Sequence, residues 1–172
     1  LSHFRNQRED AATGRIPGAD FARAVMQLFT TALWQLNPDG TRRRDANGNF
    51  IPTYGQDDVT GLAKVFTGWS WNGPDRSLAR WNGWVPTYPA PKNWRDQMQN
   101  YPDFHSLSEK RFLGVTIPAN TSGEASLRIA LDTLFNHPNV GPFFGRQLIQ
   151  RLVTSNPSPA YVARVAAAFN NN

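Results

Sequence analysis

The feature that most constrains the fold is the stretch from Trp69 to Asn120, which keeps neither a helical nor a strand period. Prolines recur throughout this stretch, at Pro74, Pro86, Pro89, Pro91, Pro102 and Pro118. A structureless segment of this length is uncommon in a compact domain, so either its own side chains pin it or it serves a function. The sequence therefore predicts a long irregular loop over residues 70–120, rich in tryptophan, with the regular elements before and after it.

Apolar residues at helical spacing lie outside the predicted loop, in five segments. These segments are ADFARAVMQLFTTALWQL, the run after Asp57 and Asp58, TSGEASLRIALDTLF, the run from Val140 and the run from Ser158. Each carries the stripe typical of a helix packed on a core, and short connections join the last three. We therefore expect a mainly α fold, with about five helices in an antiparallel array.

Two of these helices carry specific expectations. The first is predicted to end near Asn37 and to bury a stripe that consists of Phe21, Val25, Leu28, Phe29, Ala32, Leu33 and Leu36. The fourth, which begins at Val140, is predicted to bury Phe144, Leu148 and Leu152. Between the first and second helices, NPDGTRRRDANGNFIPTY combines a Pro-Asp-Gly turn with an Asn-Gly turn, which indicates one short hairpin excursion or a double-turned loop.

Composition narrows the class of protein. The 172 residues, of which 40 % are hydrophobic, fit a single helical domain over residues 1–172. No run of 18 or more apolar residues occurs, and the absence of cysteine excludes disulfides, thiolate zinc sites and a cysteine nucleophile within this chain. A net charge of +5 permits an anionic partner such as acidic polysaccharide or a membrane surface, whereas the scattered basic residues argue against nucleic acid.

Five blocks of the sequence, in order, carry a resemblance to one bacterial family. The blocks are LSHFRNQREDAATGRIP, DFARAVMQLFT, NPDGTRRRDANGNFIPTYGQDDVTGLAKVFTGW, FHSLSEKRFLGVTIPA and HPNVGPFFGRQLIQRLVTSNPSPAYVARVAAAF. Together they resemble the domain of unknown function 1800 family over nearly the whole chain. The resemblance implies an uncharacterised exported protein, periplasmic or extracellular, with no established biochemical activity. Because family members are longer and the first residue is Leu1, we expect a middle-to-late fragment of a longer parent.

One departure from the family pattern bears on catalysis. Family members usually read close to DENYAREVMELFT where this chain reads GADFARAVMQLFT, so Ala19, Ala24 and Gln27 stand where carboxylates are common. If those acids bind a metal or act in a reaction elsewhere in the family, this chain lacks them. This departure therefore favours a non-catalytic module and leaves the question of an enzyme open.

A weak calcium motif lies in the predicted hairpin. Asp45, Asn47 and Asn49 follow the alternation that begins an EF-hand loop, but the sixth and twelfth positions hold Phe50 and Gln56 instead of glycine and glutamate. The bidentate ligand is therefore missing, and an Asn-Gly turn explains the pattern better. We expect no cofactor, with calcium as the weak alternative.

The segment DFHSLSEK supplies the residue types of a hydrolase. His105 is the candidate base, and Ser106, Asp103 and Glu109 are the candidate partners. Proximity in sequence is not the geometry of a catalytic triad, and no G-x-S-x-G elbow is present. The favoured interpretation is that these residues shape turns, and a hydrolase acting on extracellular polymers is kept as the alternative.

The aromatic residues of the predicted loop are the leading candidates for ligand binding. The candidates are Trp81, Trp84, Trp94, Tyr88 and Tyr101, which lie among arginine, asparagine, lysine and glycine. Flat rings flanked by hydrogen-bonding groups suit the apolar faces and hydroxyl rims of sugars, although rings that pin the loop to the core would give the same sequence. The leading hypothesis is a binding or scaffold module that holds a glycan or an exported partner protein through this loop.

Overall fold

The computed structural model describes residues 5–83 and 96–170. The helices are α1 (Asp20–Ala24), α2 (Gln56–Val65), α3 (Leu78–Trp81), α4 (Gly123–Phe135), α5 (Val140–Leu152) and α6 (Pro159–Asn170), with a π-helix at Val25–Phe29 and a 3₁₀ turn at Pro102–Phe104. The strands are β1 (Trp69–Ser70), β2 (Gln99–Asn100), β3 (Lys110–Phe112) and β4 (Val115–Ile117). The chain divides into two compact units: a first unit of residues 1–22 and 57–130, and a second unit of residues 23–56 and 131–172.

The expectation of a mainly α protein is wrong. Of the residues that the structure describes, only 42 % are helical and 12 % are strand, isolated bridges included, and the strands form two small antiparallel sheets, β1 with β2 and β3 with β4. All four strands lie within the stretch predicted to be an irregular loop. The β3–β4 hairpin pairs Lys110 with Ile117 and turns through Leu113 and Gly114. Its two strands are three residues each, too short to show a period of two among the surrounding prolines.

In the first unit, α2 is the central buried helix. Val59 and Leu62 are completely buried, as the helical stripe after Asp57 and Asp58 predicts. The helix packs on the β3–β4 hairpin, where the Asp58 carboxylate accepts a hydrogen bond of 2.6 Å from the backbone N–H of Leu113. The predicted second helix is therefore confirmed, and it lies against a hairpin that the sequence did not predict.

In the second unit, α5 and α6 pack together at close range. Gly145 of α5 is buried against α6, and a Cβ at this position would lie 3.1 Å from a methyl group of Val165. The expectation that Phe144, Leu148 and Leu152 are buried is wrong: α6 packs on the small residues Gly141 and Gly145 of α5 and leaves these larger side chains exposed. A capping contact is present at the start of α6, where the Ser158 hydroxyl accepts a hydrogen bond from the N–H of Tyr161 at 3.3 Å.

The predicted first helix ends much earlier than Asn37. α1 continues into the π-helix, which ends at Phe29, and Ala32 then takes the left-handed conformation with φ +60°. Two threonine hydroxyls donate to helix carbonyls: Thr30 to Val25 at 2.8 Å and Thr31 to Met26 at 3.3 Å. Such side-chain bonds compete with the helical ladder and favour its end.

The rest of that segment is extended and joins the hairpin excursion. Isolated bridges pair Trp34 with Pro52, Leu36 with Arg42 and Arg44 with Phe50. Three residues of the predicted stripe, Ala32, Leu33 and Leu36, are consequently not in a helix. The exposed members of the stripe are Phe21, Leu28, Phe29 and Leu33. No helix within the described ranges is long and apolar enough to cross a membrane.

Candidate binding groove

A groove of about 470 Å³ lies in the second unit, and we call it the arginine groove. Its walls come from the π-helix, the extended chain after it, the hairpin excursion and α5. The polar and aromatic side chains that line it are Gln27, Trp34, Arg42, Phe143, Arg146, Gln147 and Gln150, with Leu28 and Leu33 among the apolar ones. The groove thus combines two guanidinium groups, three primary amides, one indole and one phenyl ring, and none of the described residues that line it carries a carboxylate.

One buried asparagine holds the wall that carries Trp34. The Asn139 amide donates to the carbonyl of Thr31 at 2.6 Å and to that of Trp34 at 2.8 Å, and its oxygen accepts from the N–H of Leu36 at 3.0 Å. A fourth bond runs to the hydroxyl of Thr53 at 3.2 Å. Because Asn139 is only 3 % exposed, these bonds fix the extended segment without competition from water.

The side chain of His137 holds the backbone of Asn139 in place. Its Nδ1 accepts a hydrogen bond of 3.1 Å from the backbone N–H of Asn139, so that nitrogen carries no proton. Burial lowers the pKa of His137, which keeps the imidazole neutral and able to accept. His137 is therefore a supporting residue of the groove wall rather than a group that faces a ligand.

The base of the groove has an unusual backbone. The π-helix supplies Gln27 and Leu28, and Ala32 lines the groove with its positive φ while it is only 7 % exposed. π-helical segments and left-handed residues other than glycine are frequent at functional sites, because the surrounding structure must compensate their cost.

The turn of the hairpin excursion approaches α6 closely at Gly40. Gly40 has φ +79°, and a Cβ there would lie 3.1 Å from a methyl group of Val162. The turn therefore reaches α5 and α6 only because this residue is glycine.

The electrostatics of the groove favour an anion. The second unit holds seven arginines and three aspartates, which gives it a formal charge of +4 out of the chain's +5. The ion pairs seen in residues 5–83 and 96–170 all lie in the first unit, so no carboxylate neutralises Arg42 or Arg146 there. Arg42 instead lies over the ring of Phe50, 5.1 Å from its centroid, and that ring is 5.7 Å from the ring of Trp34. An aromatic ring, and not a carboxylate, thus orients this guanidinium group.

The candidate calcium ligands form a turn. One carboxylate oxygen of Asp45 accepts the backbone N–H groups of Asn47 at 2.9 Å and Asn49 at 2.8 Å, and the other accepts the Asn49 amide at 3.3 Å. The backbone hydrogen bond from Asn49 is the main cause that lowers the pKa of Asp45. Among the residues the structure describes, no group of three or more His, Asp or Glu side chains is placed to hold a metal ion. The weak calcium site stays a prediction, and the Asn-Gly turn accounts for these contacts.

His105 is a buried residue of the first unit. It is 1 % exposed, its Nδ1 lies 2.9 Å from the carbonyl of Thr67, and its buried Nε2 has no hydrogen-bond partner among the residues that the structure describes. Burial lowers the pKa of His105, which favours the neutral imidazole. Asp103 is exposed on the 3₁₀ turn, and Glu109 pairs with Arg111 at 2.6 Å on the surface. The structure therefore does not show these carboxylates on the imidazole, and the hydrolase stays an untested alternative.

Ser106 belongs to a neighbouring hydrogen-bond network. Its hydroxyl donates to the Glu9 carboxylate at 2.9 Å and lies 3.1 Å from the hydroxyl of Ser108. Burial alone would raise the pKa of Glu9, but hydrogen bonds from Ser108, from its own backbone and from Ser106 lower it overall. The backbone N–H of Ser106 donates to the hydroxyl of Thr67 at 2.8 Å. This network ties the N-terminal segment to the chain before β3, which is a structural role.

The predicted aromatic platform divides into two parts. Trp81 and Tyr101 are each 1 % exposed: the Trp81 ring stacks on Phe104 with a centroid distance of 4.2 Å, and Tyr101 meets its edge at 5.4 Å. Both residues therefore pack in the first unit, where the loop-pinning explanation places them, and their ring faces are not open to a ligand. The other three candidates, Trp84, Tyr88 and Trp94, lie outside the described residues.

The residues of the arginine groove were not predicted as a site, although parts of the signal were present. Arg42 belongs to the only basic run in the sequence, RRR at 42–44. Trp34 lies in the segment predicted as the first helix, and Arg146 lies in the segment predicted as the fourth. Only the early end of the first helix turns Trp34 towards α5, and sequence periodicity gives no sign of that.

Comparison with known proteins gives one match. A family model described as protein of unknown function (DUF1800) matches residues 1–172. No curated protein and no solved structure matches the chain. The family resemblance carried by the five sequence blocks is thereby confirmed.

Proposed function

Because the chain belongs to the domain of unknown function 1800 family, whose description names no activity, we propose a function from the arginine groove: non-catalytic binding of an anionic polysaccharide. The observation that carries this proposal is the set of groups that line the groove, namely two arginines without a carboxylate partner, three amide side chains and an indole. The exported location implied by the family resemblance is part of the proposal, since it would bring the groove to polymers outside the cytoplasm.

The chemistry of the lining suits an acidic sugar residue. Arg42 and Arg146 provide planar donors that can bind a sugar carboxylate in a bidentate manner. The amides of Gln27, Gln147 and Gln150 can each donate to and accept from hydroxyl groups. The indole of Trp34 and nearby leucines offer apolar surface to the C–H face of a sugar ring. A neutral sugar would leave the two guanidinium groups without a partner, so the charge favours an acidic one.

This proposal keeps the glycan hypothesis and changes its location. Trp81 and Tyr101 have no open ring face, whereas Trp34 is partly exposed beside two cations. The groove also contains no nucleophile with an adjacent base and no candidate acid among its lining residues, which supports binding rather than hydrolysis. The groove is therefore better matched to a polyhydroxylated anion than to a partner protein.

The first prediction concerns the two arginines. An oligomer of galacturonic acid should bind, and the matched oligomer of neutral galactose should bind more weakly, when each is titrated by calorimetry. Arg42→Gln and Arg146→Gln should each weaken binding of the acidic oligomer by about tenfold or more, because a hydrogen bond to a charged group contributes roughly 1.5–3 kcal/mol to the binding free energy. Added salt should weaken binding as well.

Arg164→Gln is the matched control for this experiment. Arg164 lies on α6 in the same unit, does not line the groove, and its guanidinium is 5.5 Å from the ring of Tyr161. The substitution removes the same charge, so it should leave the affinity within about twofold of the wild type. Equal losses in all three variants would mean that net charge, not the groove, drives binding. Equal affinity for the neutral and acidic oligomers would also overturn the proposal.

A further inference from the structure

An exposed apolar stripe runs along α5 next to its contact with α6. Phe144, Leu148 and Leu152 lie four residues apart on one helix face, and they are 43 %, 42 % and 77 % exposed. Because Leu148 follows Gly145 by three residues, the stripe borders the small residues Gly141 and Gly145, which pack on α6. A contiguous apolar stripe of this kind marks an interaction surface.

A second apolar feature adjoins the N-terminal end of this stripe. A groove of about 480 Å³, which we call the apolar groove, is lined mainly by apolar side chains, including Phe29, Leu131, Phe135 and Phe144. Asp132 is the only charged residue that lines it, and no ion pair is seen for Asp132 within the described ranges. The occupant of this groove should therefore offer an apolar side chain together with a cation.

The C-terminal end of α5 offers that combination. Leu152 is the most exposed of the three stripe residues, and its neighbour Arg151 is an exposed cation with no ion pair among the residues that the structure describes. Phe144 and Leu152 are equidistant from Leu148, about 6 Å along the helix axis in each direction at 1.5 Å per residue. The stripe is therefore symmetric about Leu148.

We propose that the occupant is a second copy of this chain, paired through an antiparallel α5–α5 contact about a two-fold axis at Leu148. In this arrangement Leu152 of each copy enters the apolar groove of the other beside Phe144, and Arg151 approaches Asp132. The contact is isologous, so it closes as a dimer and leaves neither stripe uncovered. Charge complementarity and the symmetric spacing together favour a second copy over an unrelated partner, which would have to supply both groups independently.

The main test measures oligomeric state by sedimentation equilibrium over a dilution series. The wild-type chain should form a concentration-dependent dimer, and Leu152→Asp should raise its dissociation constant by about tenfold or more, since the charge would enter an apolar groove. Leu78→Asp is the control, because Leu78 is 62 % exposed in the first unit. A wild-type chain that stays monomeric throughout the series, or equal effects of the two substitutions, would overturn the proposal.

A charge exchange tests the geometry of the pair. Asp132→Arg and Arg151→Asp should each weaken the dimer, because each places two like charges across the contact. The double variant should recover most of the lost affinity, as a direct pair requires. Additive losses in the double variant would overturn this arrangement. A monomer that binds anionic phospholipid vesicles instead would assign the stripe to a membrane surface and likewise overturn it.

Discussion

Gly61→Ala is expected to destabilise the first unit by at least about 3 kcal/mol, although alanine is the better helix former. Gly61 is buried in α2, and a Cβ at this position would overlap the carbonyl oxygen of Arg111 in β3. Helix propensity alone predicts a gain of about 1 kcal/mol for the same substitution. The close approach of α2 to the hairpin backbone reverses the sign, because a backbone carbonyl cannot rotate away as a side chain could.

Gly18→Ala provides the matched control for this substitution. Gly18 lies in the same unit, has no positive φ, and a Cβ there would meet only ordinary contact with the Asn6 side chain at 3.6 Å. We expect it to be neutral or to stabilise by about 0.5 kcal/mol, since alanine restricts the unfolded chain more than glycine does. Urea unfolding followed by circular dichroism measures both. If Gly61→Ala unfolds at the wild-type midpoint, the described packing of α2 on β3 is wrong.

Sequence periodicity predicted the fold where a helix is long and its largest apolar residues face the core. The second helix, after Asp57 and Asp58, meets this condition. Periodicity failed on α5, where Gly141 and Gly145 form the contact face. Close packing of two helix backbones favours small residues, and glycine contributes little to the hydropathy period from which a buried face is predicted. Periodicity also failed after Phe29, where threonine hydroxyls donate hydrogen bonds to helix carbonyls. These bonds leave no periodic pattern in the sequence.

The candidate site was harder to predict than the fold. The basic run at 42–44 was visible in the sequence, but its partner Arg146 is far away along the chain and only the folded second unit brings the two to one groove. Sequence alone does not decide which tryptophan faces a ligand, because an indole has the same neighbours in sequence whether its ring packs inward, as for Trp81, or lines a groove, as for Trp34. Tertiary contacts decide between these two cases.

The arginine groove depends on one buried side chain, and this dependence gives the second large effect. Asn139→Ala should destabilise the protein by about 3–4 kcal/mol, because the two N–H donors and the oxygen of this amide lose their hydrogen bonds at roughly 1 kcal/mol each, and the carbonyl of Trp34 and the N–H of Leu36 lose the partner that Asn139 provides. Urea unfolding measures the loss. Asn136→Ala is the control, since that exposed amide makes a single bond, to the carbonyl of Asp132 at 2.8 Å, and should cost less than about 1 kcal/mol.

The same variant links the fold to the proposed function. Under conditions where Asn139→Ala is still folded, the segment from Thr31 to Leu36 has lost its attachment, so Trp34 no longer holds its position opposite Arg146. We expect the galacturonic acid oligomer to bind at least about tenfold more weakly than to the Asn136→Ala control, as imprecise positioning removes several contacts together. Destabilisation with unchanged affinity would mean that the ligand binds elsewhere and that Asn139 serves the fold alone. Loss of both stability and affinity would connect the early end of the first helix, through Asn139, to the recognition of an acidic sugar.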